Sequence, residues 1–252
     1  MNQAVTLEMR NLTHVFPDGT VGIAGVNLKI CEGEFVIIAG TNGSGKTVLT
    51  RHLNGLLTPT KGQVLIDGEA IGQNMIQARQ KIGLVFQDSE SQFVGQTVAE
   101  EVAFGPENLN LSRTDVEQLT RESLAAVGLS DLATHSPYTL SGGQKRKLAV
   151  AGVLAMKPKI IMFDEPFTGL DYPGVVQVLK QLVKLHQSGH TIVLITHELE
   201  KVLAHADRLV LLHQGKLVAE GTPEEVMNKV GDYGVRMPLK KGEEMDQMTW
   251  LK

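Results

Sequence analysis

The segment Gly40-Thr41-Asn42-Gly43-Ser44-Gly45-Lys46-Thr47 decides the fold of this 252-residue chain. It follows an apolar run, Phe35 to Ala39, and precedes a helical stretch. The pattern G-x-x-x-x-G-K-[ST] between a strand and a helix is the signature of a phosphate-binding loop. Glycines without β-carbons let successive backbone N–H groups turn inward around anionic oxygens, and the next helix directs its positive end to the same place. In such a loop Lys46 reaches the β- and γ-phosphates and the Thr47 hydroxyl coordinates Mg²⁺. A chance match of the four fixed positions in a chain this long is roughly one in a hundred.

Downstream, the apolar run Ile160 to Phe163 ends in Asp164-Glu165. Beside a phosphate loop, that pair supplies an Mg²⁺-shell carboxylate (Asp164) and a carboxylate placed to polarise the attacking water (Glu165). The first third of the chain reads as strands at Val5–Met9, Gly25–Ile30, Glu34–Ala39 and Gln63–Ile66, separated by turn signals. From about Ser89 to Lys157 the pattern is helical. Thr114–Val127 carries apolar residues at helical spacing, with Gly128 as its stop. The last third alternates strand and helix: Ile160–Phe163, a helix around Val175–His186, Thr191–Thr196 and a helix from Leu199. It closes with a hairpin, Arg208–His213 and Lys216–Glu220, turning at Gln214-Gly215.

This alternation predicts an α/β fold with a mostly parallel core sheet. The runs Phe35–Ala39, Leu84–Phe86, Ile160–Phe163 and Thr191–Thr196 each lead into glycine or polar chemistry: Gly40, Gln87, Asp164-Glu165 and His197. Ligands of open α/β sheets sit outside the carboxyl ends of the strands, so all four ends are expected to face one site.

Composition narrows the function. Lys plus Arg is 24 and Asp plus Glu is 28, a formal net charge of −4, which speaks against a nucleic-acid partner. One cysteine, Cys31, excludes an internal disulfide framework and a multi-cysteine zinc site. No apolar run approaches the roughly 18 residues of a membrane span, and the polar start is not a signal peptide. Glycine is mildly over-represented at 26 residues, yet no Gly/Ser linker exists to account for it.

Part of that glycine lies in a second motif, Leu140-Ser141-Gly142-Gly143-Gln144, ahead of a helix from about Lys145 to Met156. Ser141 is a good N-cap, and the two glycines leave backbone N–H groups free at a second helix start. A bare capped turn would look the same.

The order phosphate loop, Gln87, LSGGQ, IIMFDE, TGLD (168–171), His197 resembles an ATP-binding-cassette ATPase over nearly the whole chain. More closely, Phe86–Leu109 (FQDSESQFVGQTVAEEVAFGPENL) and SGGQKRKLAVAGVLAMKPKI resemble the ATPase subunits of energy-coupling-factor importers of vitamins and transition-metal ions. Tyr233–Pro238 adds a short match. The resemblance implies a P-loop NTPase fold with an N-terminal antiparallel β subdomain and a helical signature subdomain at about 89–157. It implies a nucleotide-binding domain over 1–230, with a short tail over 231–252.

It also implies roles. Phe16 holds the position of the adenine-stacking aromatic, more often Tyr in the family; Phe keeps the stacking face. Asn42, Gly43, Ser44, Gly45, Lys46 and Thr47 cradle ATP. Gln87 senses the γ-phosphate end and Mg²⁺. Asp164 completes the metal shell, Glu165 is the general base and His197 contacts the γ-phosphate. Ser141, Gly143 and Gln144 complete the ATP site of the opposite subunit, which Asp171 touches. The partners implied are a second ATPase subunit, identical or paralogous, a transmembrane subunit and a substrate-binding membrane component. The location is the cytoplasmic face of the membrane.

Other classes fit less well. A soluble P-loop kinase has no use for Ser141–Gln144, a chromosome-maintenance ATPase needs a coiled-coil insertion, and a translation-type protein carries tandem cassettes. Another prokaryotic importer ATPase with a different solute is the alternative. Gln92–Leu109 is a candidate docking groove for the transmembrane subunit, with Glu100, Glu101 and Glu107 either attracting basic helices or simply solvated. The tail, which holds the single tryptophan Trp250, is expected to be disordered beyond about Leu239 or to form a dimer contact.

Overall fold

All five residues of Phe35–Ala39 are buried, and their side chains divide by parity between two cores. Phe35, Ile37 and Ala39 join one; Val36 and Ile38 join the other. Ile160/Met162 against Ile161/Phe163, and Val193/Ile195 against Ile192/Leu194, divide the same way. This is the period-two consequence of a strand buried on both faces, and it makes the parallel sheet a wall between two layers.

The computed structural model describes residues 4–73, 75–86, 93–237 and 248–251. The chain begins with β1 (Val5–Val15), β2 (Val21–Cys31), β3 (Phe35–Ala39), α1 (Lys46–Leu53), β4 (Lys61–Ile66) and β5 (Glu69–Ala70). There follow α2 (Met75–Lys81), β6 (Ile82–Val85), α3 (Val98–Asn108), α4 (Arg113–Val127) and α5 (Gly142–Ala155). The last third holds β7 (Ile160–Asp164), α6 (Tyr172–Gln187), β8 (Thr191–Ile195), β9 (Arg208–His213), β10 (Lys216–Gly221) and α7 (Pro223–Met227).

Strand order in the larger sheet is β10-β9-β3-β8-β7-β6, parallel throughout except for the β9–β10 hairpin. The smaller sheet, β2-β1-β4-β5, is antiparallel and packs with α1 on the Val36/Ile38 face. Helices α3 to α6 cover the opposite face. Each large side chain so buried contributes about 1.5–3 kcal/mol, and truncating Phe163 to alanine would cost about 3–5 kcal/mol.

Most expected elements are present, several of them longer. The strands expected at Val5–Met9 and Gly25–Ile30 extend to eleven residues each, because their outer halves pair across a two-sided ribbon. The signature helix starts at Gly142, three residues before Lys145, capped by Ser141. Gly128 terminates α4 in the left-handed conformation. The helix expected from Leu199 does not form. Two 3-10 turns, Leu199–Lys201 and Leu203–His205, take its place, separated by Val202 at φ −142°. Residues 248–251, expected to be disordered, lie on the protein: Met248 is buried in the larger core and Trp250 packs beside it. Pro238 lies outside the described residues. Among those described, no helix is long and apolar enough to cross a membrane.

Candidate ATP site

The parallel order β3-β8-β7-β6 brings the ends of four strands to one edge, as the strand-end chemistry predicts. Gly40 leaves β3 with no room for a side chain: a β-carbon there would stand 2.4 Å from the Leu212 carbonyl and from Ser44 Oγ. Gly45, at φ 103°, would set a β-carbon 2.7 Å from the Gly22 carbonyl, so the loop closes only with glycine at both positions. Ser44 N–H donates to Thr41 O at 3.1 Å, while Ser44 Oγ is buried with no hydrogen-bond partner among the described residues.

Lys46 opens α1 and is buried, its Nζ donating to the carbonyls of Gly40 (2.7 Å) and Thr41 (3.1 Å). Burial lowers its pKa, opposed by the Glu165 and Asp164 carboxylates. Glu165 Oε1 stands 3.8 Å from Lys46 Nζ and 2.9 Å from His197 Nδ1. Glu165 Oε2 is buried and has no hydrogen-bond partner among the described residues. The Glu165 backbone lies in the left-handed region, φ 48°, and its N–H donates to Ile195 O of β8 at 2.8 Å. Burial, followed by the neighbouring Glu165 charge, raises the Asp164 pKa.

Phe16, Asn42, Gly43, Gly45, Lys46, Thr47, Asp164 and Glu165 line one cavity of about 310 Å³. Half-buried Phe16 stands on its rim, with the His14 ring edge-on at 4.7 Å and, behind His14, the His52 ring at 4.8 Å. Burial keeps the His52 pKa below the usual histidine value. The donor set suits Mg²⁺: a hydroxyl (Thr47) and a carboxylate (Asp164) whose burial and Glu165 neighbour outweigh the opposing Lys46 and Arg51 charges. Among the described residues no group of three or more His, Cys, Asp or Glu forms a metal cage. Gln87 lies outside the described residues.

Ser141 and Gly143 line a separate cavity of about 370 Å³, together with Asp171. Ser141 Oγ accepts from Gln144 N and Gln144 Oε1 accepts from Ser141 N, a reciprocal capping box that engages the Gln144 side chain within its own helix. Asp171 caps α6, its Oδ1 accepting from Gly174 N at 2.9 Å. The two cavities share no lining residue.

Arg146, to which the motif reading gave no role, is buried on α5. Its guanidinium donates to Phe86 O at 3.2 Å and to Thr168 O at 3.4 Å. It thereby joins the signature helix to the end of β6 and to the start of the TGLD turn. A buried arginine at helix position five is visible in sequence only as one more basic residue among Lys145 and Lys147.

A larger groove, about 880 Å³, separates α3 from α4 and is lined by Ala99, Ala103, Glu107, Leu111 and Val116 among others. Glu100, exposed and lining this groove, and Glu101 each also cap local backbone through one oxygen. Glu100 Oε2 accepts from Gln96 N and Thr97 N, and Glu101 Oε2 accepts from Val94 N and Gly95 N.

Residues 23–168 match the model of the ABC transporter family. The energy-coupling factor transporter ATP-binding protein EcfA of Methanocaldococcus jannaschii is 43% identical over 227 residues, 89% of this chain and 81% of that one. The EcfA protein of Methanosarcina acetivorans is 45% identical over 224 residues, 88% and 81% of the two chains. Among solved structures, cbiO1 of Clostridium perfringens, part of the ABC transporter complex cbiONQ, superposes with a TM-score of 0.83 at 33% identity, covering 94% of this chain and 97% of that one. An ATP-binding cassette solved as a post-hydrolysis dimer with ADP and phosphate gives 0.75 at 31% identity, covering 86% and 98%. The chain belongs to the ABC transporter family as an ATP-hydrolysing subunit coupled to transport, with energy-coupling-factor ATP-binding proteins among its relatives.

Proposed function

We propose that this chain powers an energy-coupling-factor type importer of a vitamin or transition-metal ion, as one of two ATPase subunits on the cytoplasmic face of a membrane. In this reading ATP lies between the Lys46 loop of one subunit and the Ser141 signature of the other. The subunits close on binding and reopen after hydrolysis. The observation that carries it is the cluster of Glu165, His197 and Lys46 at the edge of the phosphate-loop cavity.

Phosphoryl transfer demands positioning and charge neutralisation more than covalent chemistry. Lys46 Nζ would exchange its loop carbonyls for phosphate oxygens. As the water oxygen bonds to the γ-phosphorus and the bond from that phosphorus to ADP breaks, Glu165 accepts the water's proton, and Oε2, without a hydrogen-bond partner among the described residues, is the atom available for it. His197 Nδ1 holds the other carboxylate oxygen, which fixes the base. Thr47 and Asp164 would hold Mg²⁺, which supplies neutralisation of phosphate charge. Phe16 would carry the adenine ring, and Ser141 and Gly143 would close over the phosphates held by the partner. In the chain's N-terminal 230 residues these parts form the nucleotide-binding domain, with residues 89–157 as its helical arm.

The α3–α4 groove is the reading for the transmembrane subunit's docking surface, with Glu107 as its acidic contact. Its apolar lining beside the exposed Phe104 and Leu111 supports this. The function is tested with Glu165→Gln. Steady-state ATP hydrolysis should fall about 10²-fold or more while ATP affinity persists, and the variant with ATP should elute as a dimer. Hydrolysis at the parental rate would refute the assignment of the base.

A further inference from the structure

We propose that Trp250 is a positioning residue for ATP hydrolysis, clamping the TGLD turn to the segment that carries His197. This rests on the function proposed above. Two chain segments leave the catalytic strands β7 and β8 and meet here, Tyr172 and Lys201 at the indole and Phe167 behind Lys201. Phe167 follows Glu165 by two residues, Tyr172 follows Asp171, and Lys201 follows His197 by four.

The Trp250 ring packs on Tyr172 with centroids 5.2 Å apart. Lys201 Nζ lies 4.8 Å from the Trp250 ring and 5.7 Å from that of Phe167, a cation held between two aromatic faces. Lys201 is buried and ion-paired with Glu198, the neighbour of His197. Glu198 Oε2 is itself buried without a hydrogen-bond partner among the described residues. The indole thus covers one side of a charge pair that would otherwise meet water.

Backbone contacts fix the clamp in register. Trp250 N–H donates to Lys201 O (3.3 Å), and Ala204 N–H donates to Met248 O (3.2 Å). Thr249 Oγ1 meets His205 Nε2 at 2.7 Å. The 3-10 turns that replace the expected helix after Leu199 are the ones these bonds hold. A regular helix would spend those backbone groups internally, whereas the two short turns leave Lys201 O and Ala204 N–H for the tail.

Steady-state ATP hydrolysis by the full-length chain and its Trp250→Ala, Trp250→Phe and His197→Ala variants tests this. Trp250→Ala should lower kcat about fivefold or more with the KM for ATP within about twofold, and Trp250→Phe should recover most of the rate. An unchanged kcat, a loss confined to KM or a loss that Phe leaves uncorrected would overturn the clamp. Loss of the ATP-dependent dimer in Trp250→Ala would also overturn it and make the tail a contact between copies. His197→Ala separates the two readings. If it hydrolyses ATP at the parental rate, the catalytic site itself is misassigned; if it is slow while Trp250→Ala is normal, only the clamp fails. Should Trp250→Ala melt at the assay temperature, Tyr172→Leu, at an exposed position, is read by the same criteria. Because Trp250 is the single tryptophan, acrylamide quenching of the unaltered chain reports docking directly. Shielded emission supports the clamp, and quenching as free as in the unfolded chain overturns it.

Discussion

Lys46 Nζ stands 3.8 Å from Glu165 Oε1, joining the first helix of the phosphate loop to the end of β7. The ammonium is buried against two backbone carbonyls, and burial drives its pKa down. Its charge is therefore kept for a ligand at a cost to the fold. Lys46→Met trades that burial cost against two carbonyl hydrogen bonds and the Glu165 contact, so its melting temperature should lie close to the parent's. The rise in melting temperature that saturating ATP gives the parent, about 2.7 kcal/mol of stabilisation at a hundredfold excess over Kd, should disappear. A thermal-shift titration checks both halves.

Asp164 makes the opposite kind of prediction. Its folded pKa is raised above the ordinary 3.8, so ionisation at neutral pH costs stability, and that cost vanishes once both folded and unfolded forms are protonated. Asp164→Asn should thus melt higher than the parent at neutral pH. The difference should close as pH falls through the raised value toward 3.8. Hydrolysis by the same variant should lose its response to Mg²⁺. Melting curves across pH and a Mg²⁺ titration of the rate measure the two effects.

Arg146 supports two carbonyls from separate segments, so removing its guanidinium leaves both without that donor. Arg146→Met should destabilise the chain by about 2 kcal/mol, with the charged hydrogen bonds outweighing the retained apolar stem. Urea unfolding measures it. Arg146→Lys should recover only part of the loss, because one ammonium replaces a planar fork serving two directions.

On the groove side, the acids of α3 separate by role. Glu101→Lys should lower stability by about 1 kcal/mol, because its carboxylate holds the Val94 and Gly95 amides. Glu107→Lys should leave the melting temperature nearly unchanged and weaken assembly with the membrane subunit. Pull-down with that subunit, read beside the melts, distinguishes a docking contact from a structural one.

The phosphate loop, the mostly parallel core sheet and the hairpin at Gln214-Gly215 were legible in the sequence because each depends on local pattern. Glycine spacing, two-sided apolar runs and turn residues carry that information within a few positions. What local pattern could not carry was partnership across the chain. Arg146 reads as a surface cation until the end of β6 is brought to it. Leu199–His205 reads as a helix until the tail accepts and donates its hydrogen bonds. Trp250 sits in a charge-mixed terminus whose composition suggests disorder, and only Tyr172 and Lys201 give it a place. The acids at 100 and 101 read as partner contacts or solvated charges, and only the fold shows that each also holds the backbone of the turn just upstream.

The positive φ at Glu165 carries one more implication. A side chain in the left-handed region costs about 1 kcal/mol relative to glycine, and this residue also buries an oxygen with no partner among the described residues. Glu165→Gly would relieve both, against the loss of the Oε1 contacts to His197 and Lys46, and on balance the variant that ends catalysis should be the sturdier protein. Screening a library of this chain for heat resistance alone would tend to enrich molecules that no longer turn over. Any effort to toughen the protein needs a turnover assay running alongside the thermometer.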